Sequence, residues 1–257
     1  GVRLPLNFNS PYKATSISEF WRRWHMTLSR FLRDYLYFPL GGNRQGEARR
    51  YINMMIVMIL GGLWHGAGWT FVFWGALHGF YLACDHLWRA LRVRLGWTPA
   101  ARSAIGKSLS WTVTFLAIVV GWVFFRAPTW EAAINVLHGM TGMDGRLVVT
   151  VGYLPFLEPL SALIGEVRLS AAPLLYFAGR SEIGLIALCL ALVLILPNTQ
   201  EWMQRYIPSI DPVKPAWELP RMLLWRPNRS WAAFAIGLAG TALVAGMQPS
   251  EFLYFQF

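Results

Sequence analysis

One histidine lies in the glycine-rich centre of a long stretch without Lys, Arg, Asp or Glu. Tyr51 to Ala83 has no Lys, Arg, Asp or Glu, and its centre reads GGLWHGAG, with His65 among four glycines. At about 1.5 Å per residue, the residues before this centre reach roughly half the depth of a ~30 Å membrane core. An ionisable side chain at that depth is costly and usually faces an internal path, and irregular backbone there must be buried or line a cavity. His65 is therefore our first candidate functional residue.

A structural role for His65 competes with this interpretation. Glycines also let two helices pack closely, in which case His65 would be a satisfied core histidine of a tight helical hairpin. His25, in the sequence WRRWH, is the second candidate and lies at the edge of the apolar face of a predicted amphipathic helix, Ser16 to Leu36. A lone histidine in such a place is usually structural. A second histidine at membrane depth makes the pair more indicative of function than either alone.

Other motifs that carry chemistry are missing from the sequence. The five histidines show no HExxH or Cys/His ligand spacing, so we predict no metal site. There is no Walker loop, no GxGxxG and no GxSxG. The Lys and Arg residues adjoin apolar stretches of membrane length, which argues against a nucleic-acid surface. We expect His78 and His86 to have packing or interface roles and His138 to lie on the surface.

The elements that position these residues are predicted to be membrane helices. Of 257 residues, 55% are hydrophobic and only 14% charged, with a mean hydropathy of +0.39, whereas soluble domains carry about 25% charged residues. The apolar stretches 109–125, 183–197 and 231–247 contain no charged residue and predict three membrane crossings. The predicted fold class is all-α: a polytopic transmembrane protein with an interfacial amphipathic helix and a glycine-broken re-entrant segment.

The charge distribution predicts the orientation of these helices. The net charge is +10, and Lys and Arg outnumber acids by nine to three in 1–50, five to none in 86–108 and five to three in 198–230. Residues 127–182 reverse the balance, with three Lys and Arg against five acids. The positive-inside rule then places the three basic stretches in the cytoplasm and 127–182 outside. Residues 51–85 must enter and leave on the same side, as a re-entrant hairpin.

Two long motifs resemble those of a known family. Residues 7–44, NFNSPYKATSISEFWRRWHMTLSRFLRDYLYFPLGGNR, and 61–79, GGLWHGAGWTFVFWGALHG, are similar to the membrane-bound O-acyltransferase family, in particular its bacterial alginate O-acetylation branch. LPNTQEWM at 196–203 and PSEFLYFQF at 249–257 also resemble that branch. The resemblance implies that 1–257 is the C-terminal part of one multi-pass domain of the bacterial inner membrane, about half of an enzyme and not expected to be active alone.

The resemblance implies acyl transfer to a hydroxyl group. His65 matches the histidine regarded as catalytic in the family, and His25 matches the second family histidine. A neutral His65, with an ordinary pKa of about 6.5, would take the proton of the attacking hydroxyl as general base. His25 would orient a substrate or hydrogen-bond the developing oxyanion. Side-chain type alone suggests four substrate-binding residues that admit or wall an acyl chain: Trp64, Trp69, Gly62 and Gly66.

For this branch, the resemblance implies an acetyl group that moves from a cytoplasmic donor such as acetyl-CoA to an extracytoplasmic, alginate-like polysaccharide. Periplasmic esterase-like acetyltransferases would be partners, and no cofactor would be bound. Acyl or D-alanyl transfer to a cell-wall polymer, by a sister branch, stays open. So does a proton-coupled transporter subunit, which would also use His65 at mid-membrane, although transporters favour paired helix breaks and the sequence has one. A structural scaffold for partner enzymes is the last alternative.

Overall fold

The regular structure is helical throughout the part of the chain that the structure describes. The computed structural model describes residues 4–96, 103–141, 180–206, 209–210 and 224–246. The α-helices in chain order are α1 Ile17–Trp21, α2 Met26–Leu32, α3 Glu47–His65, α4 Trp69–Arg94, α5 Ala104–Arg126, α6 Trp130–Thr141, α7 Arg180–Ile195, α8 Thr199–Trp202 and α9 Arg229–Gly246. Shorter turns are the 3₁₀ segments Pro11–Lys13 and Gln204–Tyr206 and the π-helical segment Arg33–Tyr37. The predicted all-α class is confirmed for these residues.

Helices α3 and α4 form an antiparallel hairpin whose contact is built on glycine. A Cβ at Gly62 would collide with the carbonyl oxygen of Phe71. A Cβ at Gly75 would collide with the carbonyl oxygen of Met58. Small residues at these positions let the two helix backbones approach closely. The close packing that we considered as the structural alternative is therefore present, and it forms the frame on which His65 sits.

The glycine break lies where the sequence predicts it, but both arms of the hairpin are longer than the uncharged run. The chain reverses over Gly66–Gly68, α3 begins at Glu47, and α4 continues to Arg94. Helix rise makes α3 about 28 Å and α4 about 39 Å long. The uncharged run 51–83 is shorter than the two helices together, because charged residues occupy the outer end of each helix. Each arm has the length of a crossing of a ~30 Å core, and the membrane depth of His65 stays a prediction.

The amphipathic helix predicted over 16–36 is interrupted at its centre. It begins as predicted, because Ser16 Oγ accepts a hydrogen bond from the backbone N–H of Glu19 at 3.2 Å. Helix α1 then ends at Trp21, and His25 takes a left-handed conformation (φ 44°, ψ 51°) before α2 begins. The prediction of one continuous helix is wrong. The spacing of apolar residues along the chain cannot reveal that one residue within it has a positive φ.

Helices α1 and α5 pack against the hairpin and close the core. The backbone N–H of Ser18 donates to Asp85 Oδ2 on α4 at 3.0 Å, and Arg89 pairs with the same carboxylate at 2.6 Å. This polar clamp holds α1 at the end of the hairpin opposite His65. Two buried clusters fill the space between these helices: Ala14, Ile17, Phe20, Met58, Leu82 and Ile118, and then Trp74, Phe124 and Ala133.

The predicted membrane crossings coincide with helices. Helix α5, which covers 109–125, is the one helix in the described part of the chain whose length and apolar composition suit a membrane crossing. Helices α7 and α9, 16 and 18 residues long, cover most of 183–197 and 231–247. The structure thus supports one of the three crossings by length and composition, and the multi-pass topology is taken up below as a proposal.

Part of the predicted outer region lies outside the described residues. This part is 142–179, which contains most of the acidic stretch. The tail 247–257, which contains the motif PSEFLYFQF, also lies outside the described residues. Where the acidic stretch is described, Trp130–Thr141 forms α6, which we did not predict. Its Ala133 is fully buried against Trp74 and Phe124.

Candidate active site

His65 is the last residue of α3, at the turn of the hairpin. The helix ends here because the chain turns over Gly66–Gly68, and the N–H of Gly66 donates to the carbonyl of Leu63 at 3.2 Å. A Cβ on Gly66 would come within 2.6 Å of the Phe71 ring on α4. Glycine is therefore required for so tight a return. The consequence is that His65 ends α3 directly beside the first turns of α4.

Aromatic rings surround the imidazole of His65 on three sides. Its ring centroid lies 4.9 Å from that of Trp64, 5.4 Å from that of Trp74 and 5.0 Å from that of Phe125, all in edge-on geometry. Edge-on contacts are the arrangement that aromatic rings prefer. Helices α3, α4 and α5 each contribute one of these rings. The orientation of the His65 imidazole is thus set by the packing of three helices.

His25 owes its position to a hydrogen-bonded break between α1 and α2. The N–H of Asn9 donates to the carbonyl of Arg23 at 2.9 Å, and the N–H of Met26 donates to the carbonyl of Asn7 at 2.9 Å. The segment 7–9 therefore satisfies the backbone groups that the interrupted helix leaves free. A left-handed conformation costs a residue other than glycine about 1–2 kcal/mol. Such strained residues cluster at functional sites. Here the strained residue is the candidate histidine itself.

Trp64 brings the two candidate histidines together. The ring centroid of His25 lies 6.4 Å from that of Trp64, whose other neighbour is His65 at 4.9 Å. The side chain of Trp64 is 64% exposed, so the pair lies at the edge of the described structure. Two histidines 40 positions apart in sequence are neighbours in the fold.

Both imidazoles lack a charged partner in the described part of the chain. No carboxylate pairs with His25 or His65 among those residues, and His25 Nδ1 is buried there without a hydrogen-bond partner. Burial lowers the pKa of the His25 imidazole below its ordinary value, which favours the neutral form. No group of three or more His, Cys, Asp or Glu among the described residues could hold a metal ion. The pair can exchange protons or hydrogen bonds with a polar ligand.

The remaining predicted site residues have packing contacts. Gly62 is buried against the α4 backbone, and Gly66 lies under the Phe71 ring. Trp69, the first residue of α4, is 83% exposed and makes none of the ring contacts recorded for the described residues. Their assignment to substrate binding stays a prediction, and Trp64 is the one of the four that contacts both histidines.

Sequence reasoning missed two of the three rings around His65. Trp74 had a detectable signal, because a hairpin that turns at Gly66–Gly68 brings the early residues of α4 back past the end of α3. Phe125 carried no local signal, since its contact depends on how α5 docks. We also assigned His78 a packing or interface role, and it is 1% exposed with its Nδ1 accepting a hydrogen bond from Trp21 Nε1 at 3.3 Å.

Comparison with known proteins finds a family match for this region. Residues 2–124 match the model of the membrane-bound O-acyltransferase family. A peptidoglycan O-acetyltransferase from Helicobacter pylori is 52% identical over 147 residues, which is 56% of this chain and 26% of that protein. The probable alginate O-acetylase AlgI of Azotobacter vinelandii is 52% identical over 140 residues, which is 54% of this chain and 26% of that protein. A teichoic acid D-alanyltransferase from Streptococcus thermophilus is 28% identical over 143 residues, 49% of this chain and 34% of that protein.

The chain spans about a quarter of the length of the O-acetylating relatives that it matches, 26% in each case. The matched residues nevertheless contain both candidate histidines, Trp64, the whole of the α3–α4 hairpin and most of α5. The two histidines and Trp64 thus lie in the region that matches the family model, and Phe125 lies directly after it. Residues 2–124 are thus similar to the membrane-bound O-acyltransferase family.

Proposed function

We propose that the protein transfers an acetyl group to a hydroxyl of an extracytoplasmic polysaccharide, with His65 as the general base. The observation that carries the proposal is the meeting of His25 and His65 around Trp64 within the family-matched region. The relatives' names supply the class of reaction, since one is an alginate O-acetylase and another a peptidoglycan O-acetyltransferase. Acetylation of an alginate-like polymer is the specific form that we propose.

In this mechanism, His65 accepts the proton of the acceptor hydroxyl as its oxygen attacks the acyl carbonyl. The new ester C–O bond forms, the bond between the acyl carbon and the donor breaks, and the proton passes to the departing donor group. General-base catalysis of this kind contributes about 10²–10⁴-fold. A neutral imidazole suits the role, because it has a free lone pair at neutral pH. The rings of Trp74 and Phe125 hold it in one orientation.

His25 is proposed to stabilise the carbonyl oxygen as negative charge develops on it. A neutral imidazole carries one N–H that can donate to such an oxyanion, and one donor of this kind is worth about 10²–10³ in rate. The support is that His25 Nδ1 is buried without a hydrogen-bond partner in the described residues. A nitrogen in that state gains more from a polar ligand than one already bonded to the protein.

We also propose a multi-pass location in the bacterial inner membrane, with 1–50 and 86–108 on the cytoplasmic side. Helix α5 has the length and composition of a crossing. It presents an outward apolar stripe that suits lipid contact, whose members are 53% to 81% exposed: Ile105, Leu109, Val113 and Leu116. The α3 and α4 arms have crossing length as well. A Cys introduced in 127–182 should label from outside, and one in 86–108 should not.

Acetyl-CoA as donor, the absence of a bound cofactor and esterase-like acetyltransferase partners in the periplasm complete the proposal. The excess of Lys and Arg in 1–50 and 86–108 suits an anionic donor on the cytoplasmic side. A second candidate function is D-alanyl transfer to a cell-wall polymer. The similarity to a teichoic acid D-alanyltransferase, at 28% identity, favours this alternative. Mass spectrometry of the modified polymer separates the two, because acetyl and D-alanyl esters differ in mass.

The test of the proposal is His65→Ala in the protein expressed in its native membrane. We expect polymer O-acetylation to fall by at least about 10²-fold, while the amount of protein in the membrane is unchanged. His138→Ala on α6 is the matched control, because it removes an exposed imidazole from another helix, and acetylation should persist. Full acetylation by the His65 variant would contradict the general-base role. Substrate flux across sealed vesicles without any acceptor polymer would instead support the transporter alternative.

A further inference from the structure

Outside the two-histidine site, His78 is the most deeply buried ionisable side chain among the described residues. Its ring contacts that of Trp74, which in turn contacts His65. His78 lies on α4, is 1% exposed and accepts a hydrogen bond at Nδ1 from Trp21 Nε1 at 3.3 Å. Because an indole nitrogen can only donate, Nδ1 must be the unprotonated nitrogen and Nε2 carries the hydrogen. Within the described residues, Nε2 is buried with no partner.

The space around Nε2 is closed by a glycine. A Cβ at Gly121 on α5 would lie 2.7 Å from His78 Nε2. Only a hydrogen atom fits between the α5 backbone and the imidazole. A ring pinned at Nδ1 by Trp21 and at Nε2 by the Gly121 backbone has one available orientation. Helices α1, α4 and α5 therefore converge on His78, as α3, α4 and α5 converge on His65.

Trp74 links this buried histidine to the proposed catalytic one. Its ring centroid lies 4.9 Å from that of His78 and 5.4 Å from that of His65. The indole also meets Trp21 at 5.9 Å. Trp74 Nε1 is buried without a hydrogen-bond partner among the described residues, so ring packing alone sets the tilt of the indole. A change at His78 would therefore reach His65 through a single side chain.

If this position had only a packing role, an apolar side chain would give a more stable protein than histidine. A buried polar nitrogen without a partner costs about 1–3 kcal/mol relative to an apolar group of the same shape. The imidazole adds one feature that a phenyl ring lacks, which is the acceptor that fixes the indole of Trp21. That feature sets the angle at which Trp21 and Trp74 pack, and Trp74 forms one wall of the His65 pocket.

We propose that His78 is a positioning residue that sets the orientation of the His65 imidazole through Trp21 and Trp74. The inference rests on the proposed function only in naming acyl transfer as the reaction affected. The geometric part, that His78 controls the surroundings of His65, stands on the contacts themselves.

The first experiment compares two substitutions at His78 in the protein in its native membrane. His78→Phe keeps an aromatic ring but removes the acceptor, whereas His78→Asn keeps an acceptor near Nδ1 and shrinks the ring. We expect His78→Phe to lower kcat by about tenfold or more with KM little changed, since small misplacements of a reacting group cost up to about 10²-fold. His78→Asn should recover part of that loss. Equal kcat in His78→Phe and the unaltered protein would overturn the proposal, and so would losses that only track the amount of folded protein.

The same bond can be broken from its other side. Trp21→Phe removes the donor and leaves His78 in place, so it should lower kcat by a similar factor. The double variant Trp21→Phe with His78→Phe should be no worse than either single variant, because both remove one interaction. Gly121→Ala, which presses on Nε2, should also lower kcat. Gly184→Ala on α7, where an added Cβ meets nothing within 4 Å, is its control and should have no effect.

The second experiment reads the surroundings of His65 without any turnover. Diethyl pyrocarbonate modifies exposed imidazoles, and mass spectrometry gives the rate at each histidine separately. In His78→Phe and Trp21→Phe, the modification rate of His65 should change several-fold, while that of His138 should not. An unchanged rate at His65 in both variants would overturn the positioning role. If His65→Ala keeps its activity but the labelling rate still changes, the proposed general base is wrong and the positioning of His65 by His78 stands.

Discussion

The region 4–126 and the C-terminal helices α7 and α9 are apolar alike but are held in different ways. In the first region, two glycines lie directly against the backbone of a neighbouring helix. A Cβ at Gly62 or Gly75 would overlap a carbonyl oxygen of the facing helix. In α7 and α9, a Cβ at Gly184, Gly237 or Gly240 would meet nothing within 4 Å. The first region therefore carries close contacts between helix backbones, whereas the glycines of α7 and α9 contact no neighbouring element among the described residues.

Side-chain hydrogen bonds tie the residues that follow α7 to the first region. Asn198 Nδ2 donates to Asn9 Oδ1 at 3.0 Å and to Ser10 Oγ at 2.9 Å, and Lys13 Nζ donates to the carbonyl of Leu196 at 2.7 Å. These bonds end on the same segment, 7–13, that also shapes the break at His25. The comparison teaches that the site is built by specific contacts in the first region and that the LPN motif anchors the C-terminal helices beside it.

The largest expected effect in the first region is at His25, where function and folding can be separated. His25→Gly removes the imidazole and relieves the left-handed strain, so activity should fall about 10²–10³-fold while thermal stability stays equal or rises. His25→Ala should lose the same activity and keep the strain. Polymer acetylation and a melting curve for each variant measure both effects. Substantial activity in the glycine variant would remove His25 from the site.

The next effect contrasts glycines of the two regions. Gly75→Ala drives a Cβ into the carbonyl of Met58 and to 3.0 Å from Ile59 Cα, which should destabilise the protein by about 1–3 kcal/mol or more. Gly240→Ala in α9 enters open space and should be neutral or stabilise by up to about 1 kcal/mol, because alanine favours helix. Denaturation in detergent measures both changes. If the two variants are equally stable, the contrast in packing between the regions is wrong.

A smaller effect is expected where the regions are tied. Asn198→Ala removes the two hydrogen bonds to Asn9 and Ser10. It also removes the side-chain cap of α8, in which Asn198 Oδ1 accepts a hydrogen bond from the N–H of Glu201 at 2.9 Å. Loss of such bonds should cost about 1–2 kcal/mol and increase hydrogen exchange in α8 more than in α3. Asn198→Asp keeps the cap but not the amide donors, so it should recover part of the stability. Protection of α8 unchanged in the alanine variant would mean that other contacts hold it.

The smallest effect is a pH dependence at Glu19 of the first region. Burial alone would raise the pKa of Glu19, but hydrogen bonds from the Thr15 N–H and the Arg23 guanidinium hold it below its ordinary value of 4.5. Because the folded pKa lies below the unfolded one, the stabilisation is present above the unfolded pKa and is lost as pH falls through the folded pKa. Glu19→Gln should be less stable at pH 7 and show a flatter acid-unfolding curve below pH 4.5. A parallel curve would exclude this carboxylate as a contributor.

Local patterns in the sequence carried the prediction of several features. The cap at Ser16, the glycine break after His65 and the apolar stretch that became α5 all follow from residue types within a few positions. The identity of both histidines followed from their motifs and from the resemblance that these motifs carry. The break at His25 could not be predicted, because its partners Asn7 and Asn9 lie in a segment with no helical or strand period of its own. The packing role of His78 was expected, but its hydrogen bond from Trp21 depends on how α1 and α4 meet and could not be predicted.

By itself, the sequence determined that the described protein is helical, where the hairpin turns, and which two histidines are candidates for chemistry, because these depend on composition and on residues adjacent in the chain. The tertiary structure alone decided that His25 turns out of its helix, that Trp64 stands between the two imidazoles, and that Trp74 and Phe125 close around His65. These outcomes depend on contacts between helices that are distant in sequence. Such contacts are chosen by the close packing of glycine and aromatic surfaces, which has no period along the chain.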